Sequence, residues 1–222
     1  DIETVPAYST YSELPEKSKT LWNKKSSQIQ KESITPDEKY NKAVIYAEFG
    51  KIICISAGFL ANDQCFRIKS FYGHDEKILL TEFKDLLDKY YYQDDKFLCA
   101  HNGKEFDYPY IARRMLINGI VLPDILDIAG KKPWEVKHID TLELWKFGDY
   151  KSYTSLDLLT HIFDIPTPKD DIDGSMVADI YYEQKDIERI VKYCEKDVLA
   201  VAQIFQKYRH EPVIQPDKVI ST

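Results

Sequence analysis

The chain of 222 residues carries a formal net charge of −7, and 44% of its residues are apolar and 13% aromatic, so it can bury a substantial core. This composition excludes disordered and collagen-like chains. The acidic balance also argues against a protein that coats nucleic acid through bulk positive charge, but it is compatible with an enzyme that reaches phosphate groups through metal ions.

The first half of the chain predicts alternating strands and helices. Three runs rich in β-branched and aromatic residues are typical of strands, at residues 51–60, 65–72 and 96–100. Asn62 and Asp63 are the expected hairpin turn between the first two runs. Apolar residues recur at helical spacing over 75–92, and another helix is expected near Pro109, with Asn118-Gly119 as its stop signal.

The second half is predicted to be mainly helical. Residues 138–147 predict a short strand that runs into a loop, and residues 155–163 predict a helix. Apolar periodicity is strongest over 186–208, where we expect a long helix. Strands and helices mixed in this way indicate an α/β protein.

We expect a single domain over residues 1–222 with two peripheral segments. Residues 8–42, rich in Ser, Lys, Thr and Glu, are interpreted as a surface insertion. We interpret this insertion as a solvent-exposed segment held in place by Trp22 rather than as a functional lid. A short C-terminal tail with two prolines follows residue 210.

The sequence carries no sign of membrane insertion or secretion. No run of about 18 apolar residues is present, and residues 1–11 lack the basic and apolar regions of a signal peptide. The four cysteines are widely spaced, without the Cys-x-x-Cys pair typical of zinc sites: Cys54, Cys65, Cys99 and Cys194. We therefore expect a soluble cytoplasmic protein with free thiols.

The first candidate for chemistry is an acidic pair at the start of the chain. Asp1 and Glu3 are two residues apart, and in an extended strand such side chains lie on the same face, roughly 7 Å from each other. Two carboxylates at this distance can share a divalent cation. An isolated pair of this kind is also typical of a solvated strand edge.

The second candidate lies between the third predicted strand and the helix near Pro109, a junction at which α/β sheets commonly bind ligands. Asp107 stands at this boundary, either as a metal ligand or as a helix-capping carboxylate. Asn102 and Phe106 precede it in the same segment.

The third candidate is inside the predicted long helix. Tyr193 and Asp197 are four residues apart, so they share one helix face. Their neighbours are apolar, and an unpartnered phenol and carboxylate in the core would carry a desolvation penalty of several kcal/mol. A cleft that holds cations explains the pair, and an exposed polar rim is the alternative.

The three candidates occur in a fixed order along the chain, as Asp1-x-Glu3, Asn102-x-x-x-Phe106-Asp107 and Tyr193-x-x-x-Asp197. This ordered set resembles the DEDD superfamily of 3′ to 5′ exonucleases, in its tyrosine-containing (DEDDy) branch. The chain is most similar to the stand-alone predicted exonucleases related to the proofreading domain of family B DNA polymerases. The resemblance implies a ribonuclease-H-like fold, in which a mixed five-stranded sheet is flanked by helices.

The resemblance also implies an activity, the hydrolysis of phosphodiester bonds at the 3′ end of single-stranded DNA or RNA with release of nucleoside monophosphates. Two Mg²⁺ or Mn²⁺ ions are the implied cofactors, because four carboxylates offer the hard oxygen ligands that these ions prefer. By resemblance, Asp1 bridges both ions, Glu3 and Asp197 complete the site of the nucleophilic water, and Asp107 holds the second ion. Tyr193 then orients the attacking water.

Relatives bind the terminal nucleotide near the first motif and through the second, and the matching positions here are Thr4, Asn102 and Phe106. Phe106 would stack on a base, although core packing explains an aromatic residue there equally well. The chain departs from its relatives at the first motif, which they precede with several apolar strand residues. We therefore expect residues upstream of Asp1 to be missing from this sequence.

Two other functions stay open. A catalytically silent ribonuclease-H-like module would bind nucleic acid without turnover, but the complete set of four acids and one tyrosine argues against it. The segment Asp171-Ile-Asp173-Gly174 resembles the start of a haloacid-dehalogenase-type phosphatase motif. Because no apolar strand precedes this segment, we interpret it as a turn that leads into a helix near Ser175.

Basic residues in the second half are candidates for a nucleic-acid path or for ordinary solvated faces. They are Arg113, Arg114, Lys131, Lys132, Lys146 and Lys151. We interpret Tyr90, Tyr91 and Tyr92 as packing at a helix end rather than as a stacking platform.

Overall fold

The computed structural model describes residues 1–28, 35–93, 95–149, 151–166 and 171–222. Its strands are β1 (Ile2–Pro6), β2 (Gly50–Leu60), β3 (Phe66–Tyr72), β4 (Cys99–Ala100), β5 (Ile139–Asp140) and β6 (Val219–Ser221). Its helices are α1 (Glu16–Ser26), α2 (Glu76–Tyr90), α3 (Asp107–Ile117), α4 (Thr141–Lys146), α5 (Leu156–Ile162), α6 (Val177–Asp179) and α7 (Ile187–Tyr208). A π-helical segment, Ile180–Gln184, continues α6. None of the helices in these ranges is long and apolar enough to cross a membrane.

The central sheet contains four strands in the order β1-β2-β3-β6. β2 is antiparallel to both β1 and β3, whereas β6 runs parallel to β3. β4 and β5 form a separate parallel ladder, so the strands within the described ranges lie in two sheets rather than in a single five-stranded one. This mixed α/β architecture, with helices flanking the sheet, confirms the predicted fold class and is consistent with a ribonuclease-H-like protein.

A bulge in β2 turns two consecutive side chains toward the same face of the sheet. Glu3 pairs with Cys54 but Thr4 pairs with Ile52, so Ile53 is the extra residue. Ile52 packs with α2 and α3, whereas Ile53 and Cys54 both pack with α7. The bulge therefore adds apolar contacts under the helix that carries the third motif.

Apolar clusters on both faces of the sheet hold the layers together. On one face, Leu79, Leu80 and Phe83 of α2 pack with Ile111 and Met115 of α3. On the other face, the apolar side of α7 covers β2 and β3. Burying each large apolar side chain contributes about 1.5–3 kcal/mol, so these clusters dominate the stability of the sheet.

An ion pair inside the core connects α2, α3 and the bulge of β2. Arg114 Nε donates to Glu76 Oε1 at 2.8 Å, and its Nη1 donates to the carbonyl of Ala47 at 2.7 Å. Glu76 Oε1 also accepts the backbone N–H of Ile52 at 2.7 Å. Arg114 is therefore a core residue, so both interpretations of it from the sequence, a nucleic-acid path and a solvated face, are wrong. Arg113, its neighbour, is exposed.

The segment 8–42 packs onto the rest of the chain through a small aromatic cluster. Trp22 of α1 is fully buried, its indole N–H donates to the carbonyl of Pro36 at 2.8 Å, and its ring packs edge-on against Tyr40 and Phe49. Residues 29–34 of the segment lie outside the described ranges. The sequence did not predict α1, because Trp22 is its only large buried side chain.

Two further elements differ from the sequence expectations. The loop predicted at the end of 138–147 is helical, since the Asp140 carboxylate accepts the N–H groups of Leu142 and Glu143 and so caps α4. The tail after residue 210 contributes β6, which pairs with β3 at the edge of the sheet. Both features depend on local capping or distant pairing rather than on apolar periodicity.

Candidate active site

Three elements bring the residues of the three motifs together. β1 follows Asp1 and carries Glu3, α3 begins with Asp107, and α7 carries Tyr193 and Asp197. Glu3, Asp107 and Asp197 are each less than a tenth exposed. Burial, followed by the carboxylates of Asp197 and Asp107, raises the pKa of Glu3 well above its usual value. The acids of all three motifs therefore lie within electrostatic reach of one another.

Cys194 joins this cluster, although sequence reasoning treated it as an ordinary thiol. Single ligand atoms of Asp1, Glu3 and Cys194 lie within 4.8 Å of one another, and the Cys194 thiol donates to Asp1 Oδ2 at 3.4 Å. Burial raises the pKa of this thiol far above its usual value, so it stays protonated and acts as a hydrogen-bond donor. The only signal in the sequence was its position directly after Tyr193.

Asp107 is the first residue of α3 and not its cap. Phe106 occupies the N-cap position, and its side chain makes no capping hydrogen bond. Burial raises the pKa of Asp107, while hydrogen bonds from its own N–H and from that of Ile2 act in the opposite direction. The structure therefore removes the capping alternative and leaves a buried carboxylate beside β1.

Tyr193 and Asp197 interact along one face of α7. The Tyr193 hydroxyl donates to the Asp197 carboxylate. Burial, followed by the charges of Asp197 and Glu3, raises the pKa of the phenol above its usual value. Tyr193 is therefore protonated at neutral pH and can orient a polar group by hydrogen bonding.

Asp140 is a buried carboxylate near the cluster that none of the three motifs includes. Its Oδ1 accepts the N–H of Asn102 at 2.9 Å, and its Oδ2 accepts the N–H of Lys104 at 3.1 Å. Asp140 thus holds the loop before Asp107 in addition to capping α4. The sequence did contain a signal, since Asp140 followed three residues later by Glu143 is a typical helix start.

The three predicted nucleotide-binding side chains have other contacts. The Thr4 hydroxyl donates to the carbonyl of Val44 at 3.0 Å. Asn102 has a left-handed backbone, with φ of 62°, and lines a separate groove of about 550 Å³ between α3 and α4. The ring of Phe106 lies 5.4 Å from that of Tyr110 and packs against the core. Each of these three residues therefore makes contacts within the protein that account for its presence without a nucleotide.

A largely apolar groove of about 390 Å³ opens beside Asp1. It lies between the last residues of β2 and the segment that contains β4, and Val198 and Val201 of α7 also line it. The α-amino group of Asp1 donates to the carbonyl of Ser56 at 3.1 Å. Beyond Ser56, β2 has no strand partner on this side among the described residues.

The phosphatase-like segment lies in a surface turn. Arg189 binds the Asp171 carboxylate with two hydrogen bonds of 2.6 and 2.8 Å. Asp173 Oδ1 accepts the N–H of Ser175 at 2.8 Å, which is the turn that the sequence suggested. Residues 167–170, where a preceding strand would end, are outside the described ranges.

The buried acids make the stability of the metal-free protein depend on pH. The folded-state pKa values of Glu3 and Asp107 are raised, so these two groups favour the folded state in their protonated form. Their contribution to the free energy of unfolding is complete below the unfolded pKa values of about 4, and it is lost as pH rises through the folded pKa values.

Because a carboxylate must be deprotonated to bind a metal ion, we expect Mn²⁺ to raise the melting temperature at slightly alkaline pH and much less at mildly acidic pH. Differential scanning fluorimetry with Mn²⁺ or chelator measures this, and Glu3→Gln is the variant that should flatten the difference. An equal Mn²⁺ effect at both pH values would contradict the expectation.

Comparison with known proteins gives a match to one family model over most of the chain. A family model described as a predicted 3′-5′ exonuclease related to the exonuclease domain of PolB matches residues 43–213. This range contains Asp107, Tyr193 and Asp197, whereas Asp1 and Glu3 precede it. No curated protein sequence matches the chain.

Proposed function

The chain belongs to the family of predicted 3′-5′ exonucleases related to the exonuclease domain of PolB, and from this membership we propose that it is a metal-dependent exonuclease. Its proposed substrate is the 3′ end of DNA or RNA, and its proposed products are nucleoside monophosphates. The observation that carries the proposal is the buried cluster of Glu3, Asp107 and Asp197, in which the carboxylates of Asp197 and Asp107 add to burial in raising the pKa of Glu3.

The acidic cluster fits divalent cations. Carboxylate oxygens are the ligands that Mg²⁺ and Mn²⁺ prefer, and ionised carboxylates this deeply buried need a compensating positive charge. Asp1, Glu3, Asp107 and Asp197 are the residues that would hold the ions. When bound, the ions would activate water and neutralise the charge on the leaving 3′ oxygen.

Tyr193 and Cys194 supply hydrogen bonds to this site. The protonated Tyr193 phenol holds the attacking water in line with the scissile phosphate, since its raised pKa prevents it from acting as a base. The protonated Cys194 thiol fixes the orientation of Asp1 Oδ2.

Tyr193→Phe is expected to lower turnover roughly 10²-fold, because the variant loses the orienting hydroxyl while every carboxylate remains. Mn²⁺ affinity should stay at the wild-type value. Steady-state cleavage and Mn²⁺ titration measure the two effects separately. Tyr90→Phe, on the exposed end of α2, is the control. Full turnover in Tyr193→Phe would contradict the assigned role.

The proposed function is tested with 5′-labelled single-stranded DNA and RNA, incubated with Mn²⁺ and then with chelator. We expect a metal-dependent ladder that shortens from the 3′ end, and the more rapidly degraded strand identifies the preferred sugar. Hydrolysis of a simple phosphate monoester without the ladder would instead indicate a phosphatase. Binding of the strands without cleavage would indicate a silent module.

A further inference from the structure

Two large aromatic side chains are exposed on the segment that follows α4. Phe147 is 92% exposed and Tyr153 is 67% exposed. Phe147 ends α4 with a left-handed backbone, with φ of 44°, a conformation that bulky residues rarely adopt. Solvent-exposed rings held in this way favour a binding role over a packing role.

Hydrogen bonds place Tyr153 next to the loop of the second motif. His101 Nε2 donates to the carbonyl of Thr154 at 2.9 Å, and His101 Nδ1 accepts from the Thr141 hydroxyl at 3.0 Å. Burial lowers the pKa of His101, so the ring is neutral and both bonds are satisfied by a single tautomer. Tyr153 therefore stands beside the loop that leads through Asn102 to Asp107.

Phe147 is connected to the same loop through α4. Asp140 caps the first turn of α4 and also accepts the N–H of Asn102, while Phe147 terminates the same short helix. Lys104 and Glu143 form an ion pair of 2.7 Å between the loop and the helix. The backbone on either side of the two rings is thus connected to the loop that leads to Asp107.

Two lysines accompany the rings. Lys146 ends α4, Lys151 precedes Tyr153 by two residues, and neither forms an ion pair with any residue in the described ranges. The single acid between residues 144 and 153 is Asp149, whose carboxylate accepts the N–H of Lys151 and the hydroxyl of Ser152. Lysines therefore outnumber acidic residues in this segment, although the whole chain carries a net charge of −7.

We propose that Lys146, Phe147, Lys151 and Tyr153 form an entry path for single-stranded nucleic acid. This inference rests on the proposed function, since the path guides bases upstream of the 3′-terminal nucleotide toward the acidic cluster. Bases present apolar faces on a backbone of phosphates, so rings interspersed with lysines match them in both shape and charge. Stacking of this kind is tolerant of sequence, as a general exonuclease requires.

Binding of a fluorescein-labelled oligothymidylate of about twelve nucleotides tests the path, measured by anisotropy in chelator so that no cleavage occurs. The double variant Phe147→Ala/Tyr153→Ala is expected to weaken binding at least about tenfold. Its hydrolysis of a thymidine dinucleotide with Mn²⁺ should fall much less than its oligothymidylate binding, because the path is proposed to bind bases upstream of the 3′-terminal nucleotide.

Tyr92→Ala is the matched control. Tyr92 is 66% exposed, but it lies near Lys137 and His138, at the opposite end of β5 from Phe147. Oligothymidylate binding by this variant should equal that of the wild type. Melting temperatures of all variants verify that the fold is intact.

The lysines are tested through salt dependence. Lys146→Gln/Lys151→Gln should reduce the slope of log affinity against log salt concentration by about 1.4, because two phosphate contacts are lost. An unchanged slope would remove both lysines from the path.

The outcomes separate the path from the proposed function. Wild-type cleavage combined with unchanged binding by the ring variant overturns the path alone. Binding that is weakened by the ring variant, without cleavage of any strand by the wild type, overturns the exonuclease and supports the path. A wild type that does not bind oligothymidylate overturns the path.

Discussion

Asp107→Ala is expected to abolish nucleotide release, with a loss of at least about 10³-fold in kcat/KM. Removing a carboxylate that holds a catalytic cation costs several kcal/mol of transition-state stabilisation, and each 1.36 kcal/mol corresponds to a factor of ten. Asp197→Ala should have a comparable effect. The measurement is the rate of 3′ shortening of a 5′-labelled strand in Mn²⁺.

Loss of activity in Asp107→Ala can be distinguished from unfolding. Because burial raises the pKa of Asp107, the ionised carboxylate is unfavourable in the metal-free fold, so its removal should cost little beyond the hydrogen bonds it accepts and should leave a cooperative melting transition. Asp107→Asn is the near-isosteric partner, and Asp85→Ala removes an exposed carboxylate of α2 as the matched control. A wild-type rate in Asp107→Ala would exclude the residue from the chemistry.

Arg114→Ala is expected to lower the free energy of unfolding by about 3–5 kcal/mol. The Arg114 and Glu76 side chains are only 10% and 8% exposed, so the substitution leaves a buried carboxylate without its cation. Equilibrium urea unfolding measures the change. We expect Arg67→Ala, which breaks an exposed pair with Asp63, to have only a small effect.

A double variant identifies the cause of this loss. Glu76→Gln/Arg114→Met removes both charges but keeps an oxygen at position 76 that can accept the N–H of Ile52. Stability should recover in part relative to Arg114→Ala, because most of the loss is the unpaired charge. If the double variant is no more stable than Arg114→Ala, the unpaired charge is not the cause of the loss.

The elements that the sequence predicted well are those with a strong apolar pattern. β2, α2 and α7 lie close to their expected boundaries, since each has a periodic face that meets the core. The ordered motifs predicted the site residues, but they did not predict how deeply the acidic side chains are buried. Burial depends on the layers packed around them, and the pKa shifts follow from it.

Other features have no recognisable pattern in the amino-acid sequence. The bulge at Ile53 is set by pairing across two strands, and β6 forms only because β3 offers an unpaired edge. Arg114 looks like a surface cation beside Arg113, and only the fold shows that Glu76 faces it. The helix-start pattern of Asp140 predicts a cap, but its hydrogen bond from the N–H of Asn102 depends on the fold, since the two residues are far apart in the sequence.

The groove beside Asp1 leaves one stretch of the sheet edge open next to the acids. It is bordered by the unpartnered end of β2, whose free backbone groups are suited to strand pairing. A peptide segment that pairs with this edge would therefore lie beside the acidic cluster. Apolar, β-branched residues suit such a segment, whereas glycines leave the apolar walls of the groove without contacts.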